Sequence, residues 1–362
     1  MSRIAVVTSH LTFAAAVSSD AMMMQRVLEK QGYEARLYAG SADFEEPEVW
    51  PIAAIEDFLR DPDDVLIYHH SIGWDIGISL LNELHCKTII KYHNVTPPEF
   101  FAGVSAWHEA ACAEGERQLE SIAQAGYEAY LSDSEYNMKH LLDLGANPAK
   151  CFVVPPFNYI DRLSVISADL GTIETYRDGK TNILCVSRVI PNKNQEALIE
   201  AFANYHHYYN SRSRLFIVGR EEVAFETYSN RLRALITFLD LDGAVVFAGE
   251  VSDAALKAFY LLSSVFLFAS RHEGFSVPLV EAMALKVPIV SYGATAVPET
   301  VGDAGIVLSD LDPAEMAQAV DVLVRDEAAN VALGLKGWQR YQQHFTNDRI
   351  ESLFLHAIGS QN

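Results

Sequence analysis

Short apolar runs rich in β-branched and aromatic residues punctuate the chain at regular intervals, each followed by a longer stretch with apolar residues at helical spacing. In the first half the runs are Ile4–Val7, Tyr33–Tyr38, Asp64–Tyr68, Thr88–Tyr92, Glu128–Ser132 and Cys151–Val154. In the second half they are Asn182–Val186, Leu215–Val218, Ala244–Ala248 and Val265–Ala269. Runs this apolar on both faces read as strands buried in a parallel sheet, and their alternation with helical segments predicts doubly wound α/β domains. Local stops agree. Ser18-Ser19-Asp20 offers caps for a helix through Met22, Met23, Val27 and Leu28, Ser252 caps one through Leu256 and Phe259, and Pro155-Pro156 ends the first series of strands.

A chain of 362 residues allows two ordinary domains. The punctuation divides it into a first α/β domain at 1–160, an interdomain connection at 161–180, a second α/β domain at 181–345, and a final helix at 346–362.

The richest stretch runs from Ser270 to Met283. It lies between the apolar run Val265–Ala269 and a helix, with a glycine turn, Ser276 as the expected N-cap and Pro278 in the first turn. Strand, tight turn and helix N-terminus together make an anion-binding arrangement from backbone alone. Glu273 stands just past the strand's C-terminal end, where open α/β sheets bind ligands. Glu281 is the only acid in 277–290. A buried carboxylate needs hydrogen-bonding partners, and vicinal ribose hydroxyls would serve. The plainer readings are a narrow solvent stripe for Glu281 and a loop cap for Glu273. Upstream, Arg188 and Lys193 lie past the strand 182–186 and before the helix carrying Ala197, Leu198, Ala201 and Phe202. Two cations there suit a diphosphate leaving group, whose bridging oxygen gains charge as the bond to it breaks.

The segment Ser270–Gly305, with Pro298-Glu299 and Gly302-Asp303-Ala304-Gly305, resembles the donor-binding signature of retaining GT-B glycosyltransferases of family 4, the glycosyl transferases group 1. The resemblance is dense over 181–325 and looser before 155. It implies two Rossmann-like domains facing a cleft, with the final helix crossing back to the first domain. Glu273 would then contact donor sugar hydroxyls and Glu281 the ribose, while Arg188 and Lys193 hold the diphosphate. The implied donor-binding set is Arg188, Lys193, Gly219, Arg220, Val251, Glu273, Gly274, Phe275, Ser276 and Glu281. The implied catalytic set is His93, Arg188, Lys193 and Glu273. His93 stands where the family places a histidine of its N-terminal domain, and Tyr92-His93-Asn94-Val95-Thr96-Pro97-Pro98 is similar to a run in polysaccharide-forming members. The plainer reading of His93 pins the Pro97-Pro98 turn. One departure concerns the loop 8–17, which carries Ala and Ser where members commonly have paired glycines; His10 there is read as a loop-packing residue.

Charge and cysteines narrow the classes. With 27 basic and 48 acidic residues the net charge is −21, which disfavours nucleic acid as a partner and adsorption to anionic membranes. Family relatives often take lipid-linked acceptors, so peripheral contact at the inner face of a membrane stays open. Cys86, Cys112, Cys151 and Cys185 form no Cys-x-x-Cys pair, and no apolar run is long enough for a signal peptide or a span, so the expected location is cytoplasmic. No cofactor and no metal are expected. The acids of Asp61-Pro62-Asp63-Asp64 precede a strand of the first domain, and His69 and His70, adjacent on an extended segment, point to opposite faces.

The resulting expectation is transfer of a hexose, of GDP-mannose or UDP-glucose type, to a saccharide or lipid-linked saccharide in surface polysaccharide synthesis. Two rivals remain: a nucleotide-sugar epimerase or phosphorylase of similar shape, and a non-catalytic nucleotide-sugar binder. Oligomeric state is not legible.

Overall fold

The computed structural model describes residues 3–12, 15–44 and 46–359. Phe13 and Ala14, in the loop that departs from the family pattern, lie outside the described residues. The chain divides into two units. Unit 1 takes the chain up to Glu99, Ala106–Tyr159 and the C-terminal segment from Asn347; unit 2 takes Phe100–Ser105 and Ile160–Thr346.

Among the described residues, unit 1 is built on β1 (Arg3–Leu11), β2 (Glu34–Ala42), β3 (Val49–Pro51), β4 (Val65–His70), β5 (Lys87–Tyr92), β6 (Ala129–Ser132) and β7 (Cys151–Val153). They form one sheet in the order β3-β2-β1-β4-β5-β6-β7, every pair parallel. Ile4 lies opposite Ala35 on one side and Val65 on the other, so β1 is central and its alternate residues face two helical layers. One layer packs Met24 and Leu28 of the helix Ala16–Lys30, with Ile350 and Phe354 of the helix Asn347–Gly359, against Val6, Leu37 and Ile67. Asp64 ties the entry of the sheet together, accepting from the Arg3 amide (2.9 Å) and guanidinium (2.7 Å) and from the Arg60 and Asp61 amides.

Unit 2 is built on β8 (Thr181–Val186), β9 (Ser213–Val218), β10 (Val245–Gly249), β11 (Val265–Phe268), β12 (Ile289–Tyr292) and β13 (Gly305–Leu308), again all parallel, in the order β10-β9-β8-β11-β12-β13. This is a doubly wound order whose direction of winding reverses between β8 and β11, and such a reversal opens a crevice at the strands' C-terminal ends. Val265 pairs with Ile183 and Phe266 with Leu184, so the turns after these two strands emerge side by side. Leu279, Val280 and Met283 of the helix Val277–Ala284 pack on Leu184, Phe216, Phe266 and Phe268 beneath them.

Three sequence expectations change. Residues 161–180 are not a bare connection: they fold into unit 2 as the helices Ile160–Val165 and Leu170–Tyr176, with Ile160 in the unit 2 core and Tyr176 packed against it. Ser18, Ser19 and Asp20 do not cap a helix start. The helix begins at Ala16, and all three are buried inside it, where the Ser19 hydroxyl bonds back to the Ala15 carbonyl (2.9 Å). Three short strands went unread, the edge strand β3, whose proline leaves little periodic signal, and the four-residue β12 and β13. No helix among the described residues is long and apolar enough to cross a membrane.

Candidate active site

Two turns at the β8/β11 reversal build the site, and they are laced together by main chain and amides. After β8 a short helical turn, Pro191–Lys193, ends at Asn194, whose left-handed backbone (φ +54°) lets the helix Gln195–Tyr208 start at once. The Asn194 amide donates to the Ala269 carbonyl (3.3 Å) and the Asn192 amide to the His272 carbonyl (3.3 Å). In return the Arg271 N–H (2.9 Å) and the Ser270 hydroxyl (3.1 Å) donate to the Asn192 carbonyl. Gln195 fixes the near side of the same loop, donating to the Arg188 carbonyl (2.9 Å) and Ser187 Oγ (3.0 Å). These amides were missed in the sequence, where Asn and Gln beside a turn carry no distinctive spacing.

The lacing brings Lys193 and Glu273 into contact, with Nζ 2.6 Å from Oε1. The Lys193 side chain is 19% exposed and that of Glu273 6%, so the pair is partly dry but still reachable. Glu273 itself is held by Thr295: its N–H donates to the Thr295 hydroxyl, which donates back to the Glu273 carbonyl, each at 2.8 Å. Arg188 goes elsewhere. Its side chain is 60% exposed and reaches Glu222 at 3.4 Å. Arg220 is exposed, with its carbonyl accepting from the Val189 N–H (3.0 Å).

Gly219, where β9 gives way to its loop, has φ +145°, and a Cβ there would lie 2.0 Å from the Ser187 carbonyl oxygen. The glycine is required for that contact alone, because it lets the loops after β8 and β9 close on each other. Val251 is partly buried against the unit 2 core. Phe275 is buried there too, edge-on to Phe345 at 5.4 Å between centroids, so its side chain serves packing. Gly274 links Glu273 to it and is half-buried.

Ser276 corrects an expectation. It occupies the position before the helix Val277–Ala284, yet its backbone is left-handed (φ +83°) and its hydroxyl makes no cap bond. That hydroxyl is buried without a hydrogen-bond partner. The conformation points the side chain away from the helix's first amides, which therefore keep no side-chain cap.

Glu281 is half-buried, on the narrow partly exposed stripe it shares with Val277 and Ala284, and it is not alone. Its Oε2 accepts from the Tyr260 hydroxyl at 2.8 Å. Burial pushes the carboxyl up to about 7, with that hydrogen bond pulling the other way.

In unit 1 the C-terminal ends of β4, β5 and β6 gather a second polar cluster. His93 Nδ1 lies 3.0 Å from Asp133 Oδ2, and His93 Nε2 lies 2.8 Å from His69 Nδ1. Lys91, fully buried, bonds the Val154 carbonyl and sits 2.6 Å from Asp133 Oδ1 and 3.6 Å from Asp20 Oδ2. His69 and His70 do part to opposite faces, His70 bonding the Gly115 carbonyl at 2.9 Å. Burial holds both below the usual imidazole range, His70 at about 4. Burial also pushes Asp20 up, whereas for Asp133 the same burial is outweighed by His93 and Lys91, which pull it down. The pairing that matters is thus His69 with His93, not His69 with His70. Asp20, His69 and His93 each offer an atom within 4.8 Å of the others, a spacing a metal ion accepts, but the Lys91 ammonium already supplies a cation beside Asp20 and Asp133.

Residues 173–339 match the family model of the glycosyl transferases group 1. Unit 2 carries a glycosyl transferases group 1 domain. The polar site just described, from Arg188 through Glu281, lies wholly within the matched residues. Among curated proteins, the chain is 26% identical over 287 residues to a D-inositol 3-phosphate glycosyltransferase of Kineococcus radiotolerans, covering 74% of this chain and 63% of that protein. It is 26% identical over 196 residues to the lipopolysaccharide core biosynthesis mannosyltransferase LpcC of Rhizobium leguminosarum bv. viciae, 54% of each. The chain thus spans less than two thirds of the length of these relatives. Among solved structures it is similar to Anabaena HepE in complex with UDP and glucose (TM-score 0.80, 15% identity, 99% of this chain and 100% of that one). It is likewise similar to WaaG, a glycosyltransferase involved in lipopolysaccharide biosynthesis (TM-score 0.74, 15% identity, 98% of each). The fold around the group 1 domain is therefore GT-B, two parallel-sheet α/β units of seven and six strands.

Proposed function

We propose that this protein is a retaining glycosyltransferase that moves a hexose from a nucleoside-diphosphate sugar to a hydroxyl of a saccharide or lipid-linked saccharide. The observation that carries the reading is the Lys193–Glu273 pair, 2.6 Å apart at the winding reversal of unit 2. A cation and an acid held there by laced loops match what such a donor presents: a pyrophosphate, and beside it a ring of hydroxyls. In the reaction Lys193 exchanges Glu273 for a phosphate oxygen and neutralises the charge that grows on the leaving diphosphate, with exposed Arg188 as second cation. Glu273, released, accepts from sugar hydroxyls. Glu281 takes the ribose, and the uncapped start of the helix Val277–Ala284 presents amides to negative charge.

The departing phosphate, not a protein carboxylate, is proposed to assist deprotonation of the acceptor on the face it leaves, which gives retention. No metal is invoked, because Lys193 and Arg188 supply the positive charge. His93 keeps its proposed catalytic role on one condition: its Nε2 has to exchange the His69 nitrogen for a substrate hydroxyl, while Asp133 goes on holding Nδ1. A mannose-type or glucose-type donor is favoured by relatives named as mannosyltransferases and by the HepE complex with UDP-glucose. Surface polysaccharide or glycolipid assembly is the setting those names support.

A thermal-shift screen of UDP- and GDP-sugars, followed by donor hydrolysis and transfer across an acceptor panel, tests the reading. Stabilisation by one nucleotide sugar together with turnover is expected. Stabilisation with neither hydrolysis nor transfer would leave a nucleotide-sugar binder and end the enzymatic proposal.

A further inference from the structure

Tyr260 has no place in the sequence reading, yet the structure seats its hydroxyl against the acid proposed to take the donor's ribose. It is fully buried on the helix Asp253–Leu262, and its ring stacks on Phe266 of β11 at 5.9 Å and 16°. The hydroxyl has one proton and two acceptors within reach, Glu281 Oε2 at 2.8 Å and the Pro278 carbonyl at 3.2 Å. The carboxylate is nearer and charged, and a charge-assisted bond is the stronger of the two. Among the described residues no other hydrogen bond reaches the Glu281 carboxylate, so Oε1 stays available and Oε2 keeps a lone pair. A carboxylate pinned through one oxygen in this way offers both oxygens at a fixed angle to a pair of vicinal hydroxyls.

We propose that Tyr260 is a positioning residue for donor recognition: its hydroxyl orients the Glu281 carboxylate and keeps it ionised for the nucleotide's ribose. The proposal rests on the assignment of Glu281 to the ribose made above. The charges around the acid are few. Asp253, on the same helix as Tyr260, disfavours the carboxylate, and Arg162 partly neutralises it at 2.8 Å. Cys185 of β8 is the other titratable group near the Tyr260 hydroxyl, and burial holds its thiol protonated. The helix Glu327–His344 meets the far side through Gly334 and Gly337, against Lys286 and Met283. Burial and Asp253 thus push the proton onto Glu281, and the Tyr260 hydroxyl is the group that opposes them. Without it, Glu281 protonates nearer to physiological pH and loses acceptor capacity.

The test is calorimetric binding of UDP-glucose and GDP-mannose to the full chain between pH 5.5 and 8.5, choosing these probes because their pyrophosphate diesters do not titrate in that range. For whichever donor binds, wild-type affinity is expected to fall below about pH 7. Tyr260→Phe preserves the ring packing, and it is expected to weaken binding about tenfold at pH 7 and to move the acid limb upward by about one unit. The double variant Y260F/E281A should bind no more weakly than E281A alone, since the hydroxyl acts through the acid. An unshifted acid limb in Y260F, with Glu281→Gln still weakening binding, would show that Tyr260 only packs and sink this proposal while sparing the ribose assignment. Unchanged binding in E281Q would remove the ribose assignment, and the proposal with it.

Discussion

The two units wind their sheets alike and collect polar side chains at the same end of the strands, but they leave those groups in opposite states. In unit 1, Lys91 is fully buried and His93 nearly so, and the charges answer one another: an ammonium between two carboxylates, an imidazole between Asp133 and His69. In unit 2, Lys193 and Glu273 answer each other just below the surface, and Arg188 is out in solvent. A winding reversal therefore gathers chemistry without deciding its use. Burial decides: the ion pairs of a sealed cluster are committed to one another, because pulling one charge out strands the rest and leaves only the His69 contact of His93 to exchange, whereas a shallow pair can trade its partner for a ligand.

Five variants press on this contrast. The largest effect belongs to Lys91→Met, which leaves Asp133 and Asp20 buried without their cation and should cost about 3–5 kcal/mol of stability, seen as an earlier denaturant transition. A loss under 1 kcal/mol would mean the cluster is not closed. Gly219→Ala follows, since its Cβ has to displace the Ser187 carbonyl; a cost of about 1–3 kcal/mol is expected together with weaker donor binding, as the Arg188 loop moves. Comparing melting with donor titration separates the two parts.

Lys193→Ala should lower donor affinity and turnover together, by about ten- to a hundredfold, while Glu273→Gln should mainly lower turnover; equal activity in both would unseat the shallow pair as the site. Glu281→Gln has a sign of its own. The folded carboxyl titrates at about 7 against an ordinary 4.5, so the folded protein holds the proton more tightly than the unfolded chain. Stability therefore falls as pH rises from about 4.5 to about 7, and the glutamine variant should abolish that fall, melting higher than wild type at pH 8 while binding donor less well. Melting curves at pH 5 and 8 show which sign holds.

Much of the fold was legible because its causes are local. Apolar runs of strand length, helical spacing between them and breaks at proline mark elements whatever their neighbours, and ten of the thirteen strands among the described residues stand on such signals, while the short β12 and β13 inside the group 1 resemblance went unread as strands. The edge strand β3 lacked them. The Lys193 and Glu273 turns were legible for the same reason: each follows an apolar strand and precedes a helix start. Their meeting at 2.6 Å followed once β8 and β11 became neighbours.

The sequence by itself thus determined two wound sheets, the turns that carry Arg188, Lys193 and Glu273, and an isolated acid at Glu281. Tertiary structure alone decided that Arg188 reaches Glu222, that Ser276 turns from its helix, and that Tyr260 meets Glu281. It alone also assembled Lys91, His93, Asp133 and Asp20 from two strand ends and a helix. The reason is physical. Periodicity and turn chemistry are set by adjacent residues, whereas a buried charge or hydroxyl takes its partner from whichever segment the sheet order places beside it, and that order is a property of the whole fold.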